Sequence, residues 1–560
     1  MYNAADESVQ FRATTLFSLQ RRRCSIHNGR GVQPRRRIHL EQKILQTVII
    51  LLEKGKKPTC KPGAAFFFGQ IITQADEAGI SELKRYVEEI YRDAEIPPLI
   101  TSDFENGCGS MVKGLTPLPY MMGLGATGDA DLAYDYGKAT ALEARSVGAN
   151  WTFSPVADLN LNPRNPLVNV RALSDNSDLA CEMLPQIVKG MQDWGLAACA
   201  KHFPGDGVDY RDQHITTTVN SLSLSDWYES YGRVFKSLID GGVLSVMAGH
   251  ISLPDYPQQP DRKFGTALPA TLNHELITGL LKKKLGFKGA VITDALGMGG
   301  FTGWYPTREQ SEIEAFKAGC DMLLWPSKSY VENMKNAVLS GEITKERLDD
   351  AVERILSLKR KIGLYDINYQ LFRQLLPEEK QFVENVQRRC AEKSITLVRD
   401  WNGIFPINKQ RYSKIGIIPV LEYQPAMQDA RALKTAFEER GFTVDFFERG
   451  MFTPQERKNF YEKNDIVIYA LFSRPFRPMG FLDYTGDNAA MIAAHLAPDG
   501  AENKVIVASF GSPYFGKQYF ERTPCYVNAY SMLECAAKAF VRAACGETEF
   551  TGKTPVGFTE

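Results

Sequence analysis

The chain has 560 residues, 44% of them apolar and 24% charged, with Lys+Arg and Asp+Glu balanced at 66 each. That length and composition describe a globular protein of two or three domains, and the balanced charge argues against nucleic acid as the main partner. Ten cysteines lie scattered with no Cys-x-x-Cys pair, which argues against a zinc knuckle or a disulfide scaffold and fits a reducing, cytoplasmic setting.

Residues 1–37 carry Arg21-Arg22-Arg23 and Arg35-Arg36-Arg37 against only two acids, Asp6 and Glu7. So little apolar surface cannot form a core, and a disordered basic tail is expected. No apolar segment follows a basic start, so no secretory signal is expected. No apolar run reaches the roughly 18 residues of a membrane span.

Over 38–362, short apolar runs alternate with amphipathic segments of helical length. The predicted strands are 47–52, 64–68, 98–102, 151–154, 197–201, 244–248, 290–293 and 322–324. Predicted helices lie between most of them, at 81–92, 131–147, 177–194, 225–240, 273–285 and 307–318. Continuous apolar strands alternating with helices describe a parallel sheet covered on both faces. Eight such units favour closure into a (β/α)8 TIM-type barrel over an open doubly wound sheet. A helix at 344–362 ends this domain. Residues 363–392 read as a linker with a charged connecting helix, 377–392. The smaller domain, 393–560, reads as a three-layer α/β sandwich, with strands at 395–398, 415–419, 443–447, 466–472, 505–510 and 525–528 and helices near 430–440, 488–496 and 532–543. It has neither Gly-x-Gly-x-x-Gly after its first strand nor a Walker sequence, so no nucleotide site is expected there.

Polar residues cluster directly after the barrel strands: Asp103 to Gly107, Lys201-His202, His250 and Asp294. In a barrel all strand C-termini open onto one face, so these residues converge. The segment Lys201-His202-Phe203-Pro204-Gly205-Asp206-Gly207, followed by Asp212-Gln213-His214, carries the most chemistry. A carboxylate on one imidazole nitrogen fixes the tautomer and raises the basicity of the other, which equips Asp212 and His214 for general acid/base work. Asp294 ends the apolar run Ala290-Val291-Ile292-Thr293. A carboxylate there can attack an anomeric carbon, or it can cap the next helix. Lys201 and Arg171 can grip hydroxyls or form structural ion pairs with Asp103 or Asp158. His202 and His250, taken singly, also fit satisfied histidines at the core edge.

Several motifs in order resemble glycoside hydrolase family 3, in its β-N-acetylglucosaminidase branch and two-domain form. They are Leu40-Glu41-Gln42-Lys43-Ile44-Leu45-Gln46, Pro62-Gly63-Ala64-Ala65-Phe66-Phe67-Phe68, Asp103-Phe104-Glu105-Asn106-Gly107, Phe153-Ser154-Pro155-Val156-Ala157-Asp158, Asn165-Pro166 before Arg171, the Lys201–Gly207 and Asp212–His214 pair, Met247-Ala248-Gly249-His250, and Ile292-Thr293-Asp294. The resemblance implies Asp294 as nucleophile, His214 as acid/base on a mobile loop, and Asp212 as its orienting partner. It implies Asp103, Arg171, Lys201 and His202 as residues that hold the sugar hydroxyls. It further implies a retaining, exo-acting β-N-acetylhexosaminidase that needs no metal or cofactor. The substrate would be a small glycoside bearing GlcNAc, such as a muropeptide of peptidoglycan recycling, chitobiose or a glycan remnant.

The chain departs from that branch at Asp206, where His is usual. It also departs at Asn106-Gly107-Cys108 in place of Gly-Gly-Arg, at Met111 near a missing Arg, and at Val170-Arg171-Ala172-Leu173 in place of Arg-Ser-Phe. Three alternatives stay open: a phosphorylase using the same residues, a β-glucosidase or β-xylosidase of the same family, and a sugar-binding protein without activity.

Overall fold

The computed structural model describes residues 39–51, 61–67, 77–92, 94–257, 267–421, 427–448, 453–475, 478–482 and 501–557. The tail expected over 1–37 and the helix expected at 488–496 lie outside the described residues.

Eight parallel strands form the barrel: β1 (Val48–Leu51), β2 (Ala64–Phe66), β3 (Leu99–Ser102), β4 (Trp151–Thr152), β5 (Cys199–Phe203), β6 (Ser245–Ala248), β7 (Ala290–Thr293) and β8 (Leu323–Leu324). Strand β8 pairs with β1, and pairing runs on from β1 to β4. Strands β5, β6 and β7 pair in turn. Single parallel bridges, Trp151 to Ala197 and Ile292 to Met322, join the two sheets and complete the ring. Alternation along each strand explains why the runs read as continuously apolar. Ala64, Phe66, Ala290 and Ile292 pack inside with Trp151, Met247 and Met322. Ala65 and Val291 face the layer of helices. Inside the barrel the Trp151 indole donates to Ser245 Oγ at 2.8 Å, so its buried N–H is satisfied.

The helix expected at 225–240 forms with a wider π turn at Tyr228–Gly232. That turn lies beside the catalytic-face loops. The buried Tyr231 hydroxyl reaches the carbonyls of Leu159 and Asp206, at 3.0 and 2.6 Å. The helix at Pro377–Ser394 is apolar on one face. Its Val383, Val386 and Cys390 pack into the core around the barrel, and Ala391 packs into the core of the second domain.

Among the described residues the second domain holds six strands: β9 (Thr396–Asp400), β10 (Lys414–Leu421), β11 (Thr443–Phe446), β12 (Ile466–Ser473), β13 (Val505–Gly511) and β14 (Cys525–Asn528). Their order is β9-β14-β13-β12-β10-β11, parallel except for the edge strand β9. Ile466, Ile468, Ala470 and Phe472 pack to one side with Phe437 and Phe540. Val467, Tyr469 and Leu471 pack to the other with Phe460, Phe515 and Phe520. Both sheet faces are thus covered, which makes the three layers. This domain touches the barrel through specific polar contacts. Asn160 donates to the Tyr514 hydroxyl at 2.8 Å, and Asn169 to Ser512 Oγ at 3.2 Å.

Candidate active site

The expected site residues converge at the C-terminal ends of β3, β5 and β7. Lys201 and His202 lie within β5 and are almost wholly buried, and the peptide between them is cis. Lys201 Nζ donates to Asp103 Oδ1 at 2.8 Å and lies 2.6 Å from Glu105 Oε1. Arg171 clasps Glu105 with two parallel bonds, Nε to Oε2 at 2.8 Å and Nη2 to Oε1 at 2.7 Å. A bidentate clamp of this kind sets orientation as well as charge. Burial opposes the Glu105 carboxylate, but Arg171 and Lys201 outweigh it and hold its pKa far below the usual range. Burial likewise opposes the Lys201 ammonium, yet Asp103 and Glu105 keep its pKa above that of an ordinary lysine.

The ion pairs considered for Lys201 and Arg171 therefore exist, but their shared anion is Glu105. Asp158 serves His202 instead. Its Oδ2 lies 2.7 Å from His202 Nδ1, and its Oδ1 accepts the His202 and Asp206 amides at 3.1 and 2.7 Å. This turns the other ring nitrogen, Nε2, toward Asp294, 3.8 Å from Oδ2.

Asp294 follows β7, with a side chain only 14% exposed. Its Oδ1 accepts the Ala295 amide at 2.7 Å. It does not cap the next helix, Arg308–Ala318, because Thr307 does, accepting the Gln310 amide at 3.1 Å. Burial disfavours its charge, but His202, His250 and His214 together bring its pKa below the ordinary carboxylate value. Asp294 is therefore an anion at neutral pH, with Oδ1 held by the Ala295 amide and Oδ2 beside His202. His250 itself is buried, with Nδ1 at 2.9 Å from Thr271 Oγ1 and Nε2 at 3.1 Å from the Ala295 carbonyl. Both nitrogens are engaged, so His250 supports the Asp294 turn and has no ring atom left for a ligand.

Asp212 and His214 pair as their spacing suggested. Asp212 Oδ1 accepts from the His214 backbone amide and lies against His214 Nδ1, both at 2.8 Å. Asp212 is buried, whereas the His214 side chain is 34% exposed. Burial raises the Asp212 pKa, but the His214 ring and the amides of Met479 and His214 lower it further, so the net direction is down. The loop is tied to the loop that follows Asp294 in this structure. Gly299 and Gly300 donate to the carbonyls of His214 and Gln213, at 2.8 and 3.1 Å. A Cβ on Gly299 would stand 2.1 Å from the Ile215 carbonyl oxygen. Glycine is therefore required for the two loops to meet. Asp206 is buried behind them, with Oδ1 bonded to Asn165 and Gly207 and Oδ2 without a hydrogen-bond partner among the described residues. Burial and the nearby Asp158 push its pKa well above the ordinary carboxylate value.

Residues 40–358 match the glycosyl hydrolase family 3 N-terminal domain. The chain belongs to glycosyl hydrolase family 3. This family 3 chain is 34% identical to a β-N-acetylglucosaminidase/β-glucosidase of Cellulomonas fimi, over 84% of its own length and 85% of that protein. It shares its fold with the β-glucoside phosphorylase BglX at a TM-score of 0.80 and 28% identity, covering 92% of this chain and 93% of the other. A family 3 β-N-acetylglucosaminidase from Paenibacillus sp. FPU-7 superposes at 0.78, with 26% identity and coverage of 93% and 99%. The protein is a glycoside hydrolase.

Three residues of the site escaped the sequence reading. Glu105 sat inside a recognised motif with no role assigned, and Asp158 entered only as an ion-pair partner. Both are carboxylates in loops that follow barrel strands, which is a usable signal. Met479, whose backbone amide donates to Asp212 Oδ2 at 2.9 Å, has no signal at all.

Proposed function

We propose that the chain is a retaining, exo-acting β-N-acetylhexosaminidase. Asp294 is the nucleophile and His214, oriented by Asp212, is the acid/base. The observation that carries this reading is the place of the Asp294 carboxylate, directly after β7, with Oδ1 on the Ala295 amide and Oδ2 3.8 Å from His202 Nε2. In the first step an Asp294 oxygen bonds the anomeric carbon while the glycosidic C–O bond breaks. The departing oxygen keeps the electron pair and takes the proton from His214 Nε2. In the second step a water gives its proton to Nε2, attacks the same carbon and frees Asp294, so configuration is retained. Asp212 keeps Nδ1 protonated and aligned through both steps. Asp103, Arg171, Lys201 and His202 bind the hydroxyls of the terminal sugar.

The substrate within this reading is a GlcNAc-terminated saccharide or muropeptide, and the setting is cytoplasmic. The eight described cysteines are all free thiols, which suits a reducing compartment. The decisive measurement compares turnover of an aryl β-N-acetylglucosaminide with that of the aryl β-glucoside. A clear preference for the glucoside would overturn the acetylglucosamine assignment and leave the β-glucosidase reading in its place.

A phosphorylase is the second reading, supported by the likeness to BglX. An imidazole at the acid/base position does not repel phosphate as a second carboxylate would, so phosphate can replace water in the second step. Sugar 1-phosphate formed in phosphate buffer would establish it, and free sugar alone would refute it.

A further inference from the structure

The Asp212 carboxylate is held from two sides. Oδ1 is occupied within its own loop, by the backbone amide and ring of His214, each at 2.8 Å. Oδ2 accepts the amide of Met479 at 2.9 Å, across 267 residues of chain. Met479 lies in the second domain, just beyond strand β12. The barrel anchors the loop backbone through Gly299 and Gly300, but those bonds do not set the plane of the carboxylate. A carboxylate gripped at one oxygen can still turn about its bond to Cβ, and a donor on the second oxygen stops that rotation. Asp212 has no water-exposed surface to supply a donor in its place. His214 Nε2 has no hydrogen-bond partner among the described residues. The ring direction needed for proton transfer is therefore set through Nδ1 alone.

We propose that the Met479 backbone amide is a positioning group for acid/base catalysis, so that docking of the second domain completes the proton-transfer pair of the barrel. The inference rests on the reading of His214 as acid/base. It assigns the amide no contact with substrate. Met479 acts through Asp212 on the direction in which His214 presents its proton to the departing oxygen. Loss of this donor leaves a buried carboxylate oxygen unpaired, which favours either rotation or protonation of Asp212. Both outcomes weaken proton delivery and leave nucleophilic attack by Asp294 untouched.

The test is the dependence of kcat/KM, which reports the first step, on leaving-group acidity across a series of aryl β-N-acetylglucosaminides. A dinitrophenyl leaving group departs without protonation, whereas poor leaving groups need it. Met479→Pro removes the N–H. It is expected to lose about tenfold to a hundredfold on poor leaving groups, below the full range for general acid catalysis, and to stay within about threefold of the parent enzyme on the dinitrophenyl glycoside. A backbone ester at position 479 removes the same donor without the proline ring and gives the same pattern if the fold is kept. Met479→Ala, which keeps the amide, separates loss of the hydrogen bond from loss of the side chain. In an Asp212→Asn background Met479→Pro adds no further loss. Equal slowing of every substrate by Met479→Pro and by the ester would overturn the inference and leave a merely structural contact. His214→Ala is the control for the underlying reading. If it shows no steeper leaving-group dependence, the acid/base assignment falls and the inference with it. If it does while both position-479 variants stay flat, only the inference falls.

Discussion

The nucleophile side and the proton-transfer side of this active site are built differently. Asp294 follows a strand whose residues are all buried, its partners His202 and the Ala295 amide come from the barrel itself, and His250 holds the Ala295 carbonyl. Asp212 and His214 sit on a loop instead. Their geometry depends on the Asp294 loop through Gly299 and Gly300 and on the second domain through Met479. A strand end is positioned by the whole sheet, so the attacking carboxylate is insensitive to distant changes. A loop is only as well placed as its separate contacts. Glycosyl transfer and proton delivery are therefore separable by mutation.

The largest effect tests the strand-end half. Asp294→Asn is expected to lower kcat/KM by about 10⁴-fold or more on all leaving groups alike, with the circular dichroism spectrum unchanged. Substantial residual activity on a dinitrophenyl glycoside would remove Asp294 as nucleophile. His214→Ala is expected to lower kcat/KM about 10²- to 10⁴-fold on poor leaving groups only, and on the dinitrophenyl glycoside, where loss of the base slows the second step, added azide should restore kcat by forming glycosyl azide. A uniform loss would erase the distinction between the two halves.

Glu105→Gln leaves Lys201 and Arg171 without their shared anion. Urea unfolding should show a loss of about 3 kcal/mol, the cost of breaking a buried ion pair on one side. A loss within error of zero would mean that the two cations find other partners. Gly299→Ala drives a methyl toward the Ile215 carbonyl. It should displace the His214 loop, cost roughly 1 to 3 kcal/mol of stability and steepen leaving-group dependence, while the Asp294 side stays intact.

The smallest expected effect concerns Asp206. Its folded pKa lies well above the roughly 3.9 of an unfolded aspartate, raised by burial and by Asp158. The stability that its protonated form contributes is full below about pH 4 and is lost as pH rises toward the folded value. Asp206→Asn removes that dependence, so its Tm relative to the parent should improve from pH 4 to pH 8. A Tm difference that does not change with pH would show Asp206 to be ionised in the folded chain.

The barrel was legible because strands buried on both faces read as unbroken apolar runs, and all eight expected runs overlap strands or bridges of the ring. Boundaries drifted by a residue or two where pairing ended before the apolar run did, as at β4. The sandwich was legible for the same reason, and the structure adds that β12 alternates between its two cores. The π turn at Tyr228–Gly232 was not. It answers the fit of Tyr231 under the Asp206 loop, which no helical periodicity encodes. Asp103, Lys201, His202 and Asp294 could be picked out because ionisable side chains at strand ends are conspicuous, Asp212 and His214 by their Asp-x-His spacing, and Arg171 by its place in the family motif. Their partnerships could not. Arg171 and Lys201 converge on Glu105 and not on Asp158, and that choice depends on side-chain reach across β3 and β5.

Sequence by itself thus determined where the strands lie along the chain, the two-domain layout and the chemistry-bearing side chains, because hydrophobic periodicity and residue type are local. Tertiary structure alone decided which carboxylate each cation shares, that His250 is engaged on both nitrogens, and that the second domain reaches Asp212. The last of these rests on a backbone N–H, which every residue except proline carries, so no side chain at position 479 could have announced it.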